Sequence, residues 1–200
     1  MGMLSIPRVT RTLILLNVAV FLLQHAGSGQ IEEHFALYPL GEDFRIWQLF
    51  SYAFLHSGYP HIFFNMFALY MFGGALEHFL GAKRFTWFYF VSVLTAGLSQ
   101  LVMTFIEGSN EPTIGASGGV FGLLLGFAMF FPRERIMLLF PPIPMPAWLF
   151  VTAYGLIELV LGATSTQPGV AHFAHLGGML GGYLTILWWR RGGRSGARRA

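Results

Sequence analysis

Residues 85–106 read FTWFYFVSVLTAGLSQLVMTFI, twenty-two positions without a charge, entered through Lys83 and Arg84 and left at Glu107. A helix of that length rises about 33 Å, and the hydrocarbon core of a bilayer is about 30 Å thick. The stretch therefore predicts a transmembrane helix. The whole chain agrees: of its 200 residues 54% are hydrophobic and 10% charged, where a soluble domain carries about 25% charged residues. Its 21 Phe and 5 Trp would leave aggregating patches in water.

Working outward, five further stretches have the required length and polarity, at residues 10–25, 61–80, 114–131, 145–161 and 171–189. The chain is thus expected to be an all-α membrane protein with six transmembrane helices. The fourth span is short, its firmly apolar part being Ser117 to Phe131. It is expected to start below the membrane surface after a loop that dips inward, which implies a cavity, since irregular backbone at that depth must be satisfied by protein or water. Arg8 and Arg11 ahead of an apolar run resemble a signal peptide. No clean small-x-small cleavage site follows, so a retained first helix is predicted.

Lys and Arg collect on cytoplasmic flanks. With the N-terminus inside, Arg8, Arg11, Lys83, Arg84, Arg133, Arg135, Arg190, Arg191, Arg194, Arg198 and Arg199 all fall on inner segments, and Arg45 alone falls outside. Both termini are then cytoplasmic, with residues 190–200 a basic tail behind interfacial Trp188 and Trp189. The outer segment 26–60 is too apolar for a solvated linker. One or two short interfacial helices are expected in it. The basic clusters flank apolar runs and lack the aromatic-interleaved face of a nucleic-acid binder. The absence of Cys excludes disulfides, thiolate metal sites and a cysteine nucleophile.

Polar residues inside a bilayer are costly and mark function. Span two opens with His61-Ile-Phe-Phe-Asn65, span four with Gly115-Ala-Ser117-Gly-Gly119, and span six with His172-Phe-Ala-His175-Leu-Gly-Gly178. All three enter from outside, so Asn65, Ser117 and His175 share a depth. A serine hydroxyl needs a neighbouring base, and His175 is the best placed to take its proton. No Asp or Glu is expected in the outer half of a span to orient the imidazole, so a Ser117–His175 dyad is expected rather than a triad. Side-chain donors for an oxyanion come from His61 and Asn65, and a backbone donor from the Ser117 N–H at a helix start. Glycines at four-residue spacing, Gly118, Gly122 and Gly126 on span four and Gly178 and Gly182 on span six, predict close backbone approach.

In this combination and order, together with Leu55-His56 and Gly74-Ala-Leu-Glu77, the motifs resemble the bacterial type of rhomboid intramembrane serine protease, over residues 44–189. The resemblance implies a single rhomboid-like domain over residues 1–200, a six-helix bundle with a partly helical first outer loop, in the bacterial inner (plasma) membrane. It implies Ser117 as nucleophile, His175 as base, and His61 and Asn65 at the oxyanion hole. It also implies cleavage of single-span membrane proteins near the outer face, without metal, nucleotide or other cofactor. Two positions depart from the family. Gln48 follows Trp47 where Arg is frequent, and Phe121 stands where Tyr is frequent; Phe121 can still stack on His175. Substrate entry is expected to be lateral, past spans two and five, with small side chains favoured at the cut.

Competing readings fare worse. His172 and His175 share a helical face as metal ligands would, but no third ligand is evident at suitable spacing, and His172 is expected at the interface. Ser117 alone would pass for helix-packing glue. A transporter would place its polar groups at the midplane with inverted repeats, and a catalytically silent scaffold would lack Ser117 or His175. Glu77 is expected to be a structural acid tying the inner end of span two to the next loop. Glu158 is expected to pair with a backbone or hydroxyl group, with no assigned function. His25, His34, His56 and His78 are expected in loops or at interfaces, with His56 helping to order the outer loop.

Overall fold

The computed structural model describes residues 6–27, 29–137, 142–164 and 169–196, with side chains through 191. Its helices, in chain order, are α1 (Arg8–Ala26), α2 (Gln30–Phe35), α3 (Gln48–Ser51), α4 (Tyr59–Ala68), α5 (Gly74–Leu80), α6 (Ala82–Glu107), α7 (Ser117–Phe130), α8 (Ala147–Thr164) and α9 (His172–Gly196). A 3-10 turn, Tyr52–Phe54, follows α3, and a π-helical segment, Leu69–Gly73, joins α4 to α5 without a break. Pro60 sits in the first turn of α4, where its missing N–H costs no internal bond.

Three of these helices, α1, α6 and α8, are long and apolar enough to cross a membrane, and α7 is apolar but shorter. Their surfaces are those of a lipid-facing protein. On α1 the buried positions Thr10, Leu13, Asn17 and Phe21 form one stripe, while Leu15, Leu16, Leu22 and Leu23 on the other side are exposed. An amphipathic helix in water would be polar there.

The core lies around α6, which buries Phe85, Phe88, Tyr89, Val93 and Ala96 against α7 and α9. Glycine doublets on α9 make this three-helix contact close. Gly177 and Gly181 face Ser99 and Thr95 of α6, while Gly178 and Gly182 face the backbone of Gly118 and Gly122 on α7. A Cβ on Gly178 would overlap the Gly118 carbonyl. The expected approach of spans four and six is thus made by Gly118, Gly122, Gly178 and Gly182, whereas Gly126 packs against Phe88 of α6.

Some expectations need correction. Residues 114–116 are not helical, because Gly115 adopts φ 127° and its N–H bonds the Tyr52 carbonyl at 2.9 Å. Residues 145 and 146 belong to a two-stranded ribbon, β1 (Arg135–Met137) paired antiparallel with β2 (Pro144–Pro146), so the protein is not wholly helical. α9 continues past Trp189 to Gly196, where a tail was expected, and residues 197–200 lie outside the described ones. Near that end Arg84 lies over the Trp189 ring, 5.9 Å from its centroid.

The outer segment folds as α2, α3 and the 3-10 turn. Gln48, the departure from Arg, is buried and ties the loop to itself: its amide donates to the carbonyls of Asp43 (3.2 Å) and His34 (3.4 Å), and its oxygen accepts from Arg45 N (3.0 Å) and Tyr38 N (3.4 Å). A neutral carboxamide both donates and accepts, which Arg cannot do. Glu77 is structural but holds a different partner from the adjoining loop. Its carboxylate accepts Val9 N, Thr10 N and Thr10 Oγ at 2.7–2.9 Å, capping the first turn of α1, where N–H groups lack internal acceptors.

Candidate active site

Ser117 is the first residue of α7. The segment ahead of it is held from outside, by the mutual Leu37–Thr113 backbone pair (2.9 Å each way) and by the Gly115–Tyr52 bond. Tyr52 is fixed in turn, its hydroxyl donating to the Val93 carbonyl at 2.8 Å. His175 lies on the first turn of α9, one turn before the Gly178–Gly118 contact, and that contact brings the two side chains together. Ser117 Oγ stands 2.8 Å from His175 Nε2, across 58 positions of sequence. The imidazole lies face to face with Phe121, centroids 4.2 Å apart and planes 5° from parallel, and the stack continues to Tyr154 of α8 at 5.3 Å. A flat apolar sandwich of this kind fixes the ring plane.

His61 approaches from α4. Its Nδ1 faces the Ser57 hydroxyl (3.0 Å) and the Ser57 backbone N–H (3.4 Å). An N–H can only donate, which assigns the acceptor role to Nδ1 and the proton to Nε2. That Nε2 edge packs closely on Gly115: a Cβ there would lie 2.8 Å from the ring and 3.7 Å from Ser117 Oγ. Asn65 is buried on the same helix, one of its amide N–H groups donating to the His61 carbonyl at 2.9 Å.

The expectation that no acid reaches His175 is overturned. Glu158 of α8 places Oε2 2.8 Å from His175 Nδ1 and 2.7 Å from His172 Nδ1. Helix direction explains the miss: α8 runs opposite to α9, so an acid near its C-terminal end lies level with the start of α9. His172 is buried, not interfacial. Glu158, His172 and His175 place three ligand-type atoms within 4.8 Å of one another, a group that the spacing of the histidines alone did not reveal. Two N–H···O bonds to one carboxylate oxygen account for the arrangement without an ion. Tyr154, too, went unrecognised as a neighbour of the site.

His56 is the other surprise. It is buried to 1% exposure, and among the described residues neither ring nitrogen has a hydrogen-bond partner. Its ring meets the edge of His61 at 4.9 Å. Its backbone N–H bonds Gln24 Oε1 at 3.0 Å, which does order the outer loop. Burial, followed by the nearby His61, lowers its pKa from 6.5 to about 4, with a weaker opposing pull from the Phe54 backbone. The unfolded chain therefore binds a proton near pH 6.5 that the folded chain resists until about pH 4. Stability from this group is complete above pH 6.5 and is lost as pH falls towards 4, by up to about 3 kcal/mol. Thermal unfolding in detergent at stepped pH should show His56→Gln with a flatter slope than wild type over that window. Parallel slopes would refute the assignment.

A family model described as the Rhomboid domain matches residues 43–191. The chain is similar to the mitochondrial Rhomboid protein 1 of Saccharomyces cerevisiae, 34% identical over 66% of this chain and 38% of that protein. It is also similar to the Rhomboid protease GlpG of Pectobacterium atrosepticum (29%, covering 90% and 62%) and to the Rhomboid protease GluP of Bacillus subtilis (28%, covering 88% and 34%). It thus spans between about a third and three fifths of the length of these relatives.

Proposed function

The chain belongs to the rhomboid family and is an integral membrane protein, and from that premise we propose that it is an intramembrane serine endopeptidase working through Ser117 and His175. The observation that carries the reading is the 2.8 Å contact between Ser117 Oγ and His175 Nε2.

In the first half-reaction Ser117 Oγ attacks the scissile carbonyl carbon as its proton passes to His175 Nε2. The negative charge on the carbonyl oxygen is met by His61 Nε2–H, an Asn65 amide N–H and the Ser117 backbone N–H. The C–N bond then breaks, and the amine leaves with the proton from Nε2. Water, deprotonated by His175, attacks the acyl ester; Ser117 regains its hydrogen and the new carboxyl end departs. Donors fixed in a site shielded from bulk water are worth more than in solution, about 2.7–4 kcal/mol each. Phe121 holds the imidazole plane throughout.

The substrates proposed are single-span membrane proteins, cut near the outer face in lipid, without a cofactor. The proposed arrangement has six spans, from the lengths of the apolar stretches, and both termini cytoplasmic, from the distribution of Arg and Lys; the bacterial plasma membrane is the location that the family resemblance implies. A helical substrate reaches Ser117 laterally, since leaving lipid through water exposes its apolar surface. The reading is tested by incubating the purified protein in liposomes with a panel of single-span substrates and mapping products by mass spectrometry. Cleavage within or just outside the outer half of a span supports it. Intact substrates throughout, with the protein folded, overturn it.

A further inference from the structure

Glu158 is the sole charged residue of α8, whose other positions are apolar or hydroxyl-bearing, and it is 5% exposed. An acid in that setting requires partners. It has two, and both use the same atom: His175 Nδ1 at 2.8 Å and His172 Nδ1 at 2.7 Å converge on Oε2. We infer that Glu158 is a positioning residue for the base, clamped in its working form by His172, so that the site is a Ser117–His175–Glu158 chain with a second histidine behind it. The inference rests on the proposed proteolytic reading.

The argument is one of donor counting. A protonated carboxyl could give its hydrogen to one imidazole, and His175 would then carry its proton on Nε2, facing Ser117, with no lone pair to receive the serine proton. Oε2 lies within hydrogen-bond distance of both Nδ1 atoms, and an ionised carboxylate can accept from both rings there with no hydrogen of its own to place. The pattern that satisfies both contacts and leaves His175 able to act as base is Nδ1–H on both rings, negative charge on Glu158, and a free Nε2 lone pair on His175. His172 has no other polar tie among the described residues, its Nε2 being buried without a partner. Holding Glu158 is the polar contact it makes.

A purely structural acid would fasten α8 to α9 and do nothing else. Steady-state kinetics separate the two roles, because a group that acts through the base changes turnover rather than substrate binding. The experiment measures kcat and KM of the full chain in detergent on a single-span substrate, beside its thermal unfolding, for wild type, Glu158→Gln, His172→Gln and Ser117→Ala. Gln keeps the size of Glu but presents an NH2 that can face His175 and impose the wrong tautomer. Glu158→Gln is expected to lose about 10²-fold or more in kcat, as wrong-tautomer variants of serine hydrolases do, with KM within about twofold. His172→Gln is expected to lose about tenfold in kcat, since the carboxylate keeps one donor.

Wild-type kcat in Glu158→Gln overturns the inference, as does a rise in KM at constant kcat. If Glu158→Gln does not fold, His172→Gln decides alone, and undiminished kcat there overturns it. Full cleavage by Ser117→Ala would sink the proteolytic reading itself; an inactive Ser117→Ala beside a fully active Glu158→Gln would sink this inference only.

Discussion

Ser117→Ala should abolish peptide cleavage while leaving the protein folded. Among the described residues the hydroxyl makes one polar contact, to His175 Nε2 at 2.8 Å, so its loss costs about 1 kcal/mol of stability. Catalysis loses its nucleophile outright. In serine hydrolases such variants keep only what binding and the oxyanion donors supply, several powers of ten below the intact enzyme. The measurement is product formation from a single-span substrate by purified wild type and variant, with unfolding curves as the control. A fluorophosphonate probe gives a second readout: it should label wild type at Ser117, and His175→Ala should suppress labelling. Cleavage by Ser117→Ala at the wild-type rate, or equal labelling without His175, would remove these residues from their proposed roles.

Gly178→Ala is expected to have the next largest effect, although residue 178 touches no substrate. Its new methyl would occupy the place of the Gly118 carbonyl, one residue from the nucleophile. Backbone cannot yield as a flexible side chain does, so α9 must move off α7, taking His175 with it. A displacement of about 1 Å at a reacting pair costs about 10²-fold in rate. The expected result is a loss of kcat of that order together with a lower unfolding temperature. Gly155→Ala on α8, whose Cβ would meet the end of the Met179 side chain at 3.3 Å, is the comparison, since that flexible chain can give way. Equal activity of Gly178→Ala and wild type would mean that α7 and α9 do not set the Ser117–His175 distance.

Much of the site could be read from the chain because a bilayer makes polar residues conspicuous. Ser117, His175, His61 and Asn65 stand out against phenylalanine and leucine, and glycine spacing marked the contact between α7 and α9. Glu158 was equally conspicuous, yet its partner was missed. Its neighbours in sequence are apolar, and the histidines it serves lie 14 and 17 positions away across a reversal of chain direction. Periodicity reports one helix at a time and says little about which level of one helix meets which level of the next. His56 escaped for a similar reason: a short segment between Ser51 and Tyr59 gives no pattern from which burial could be inferred. The β1–β2 ribbon was hidden because its strands are three residues long, shorter than any alternation can register.

The outer segment acts as a splint for the candidate site. Leu37 and Tyr52 are stitched to residues 113 and 115, so the seat of the nucleophile is tailored by chain that lies 76 and 63 positions upstream. A protein nicked between those two stitches would keep its helices and lose its aim, and harsh detergents that loosen the headgroup layer would act as the nick does.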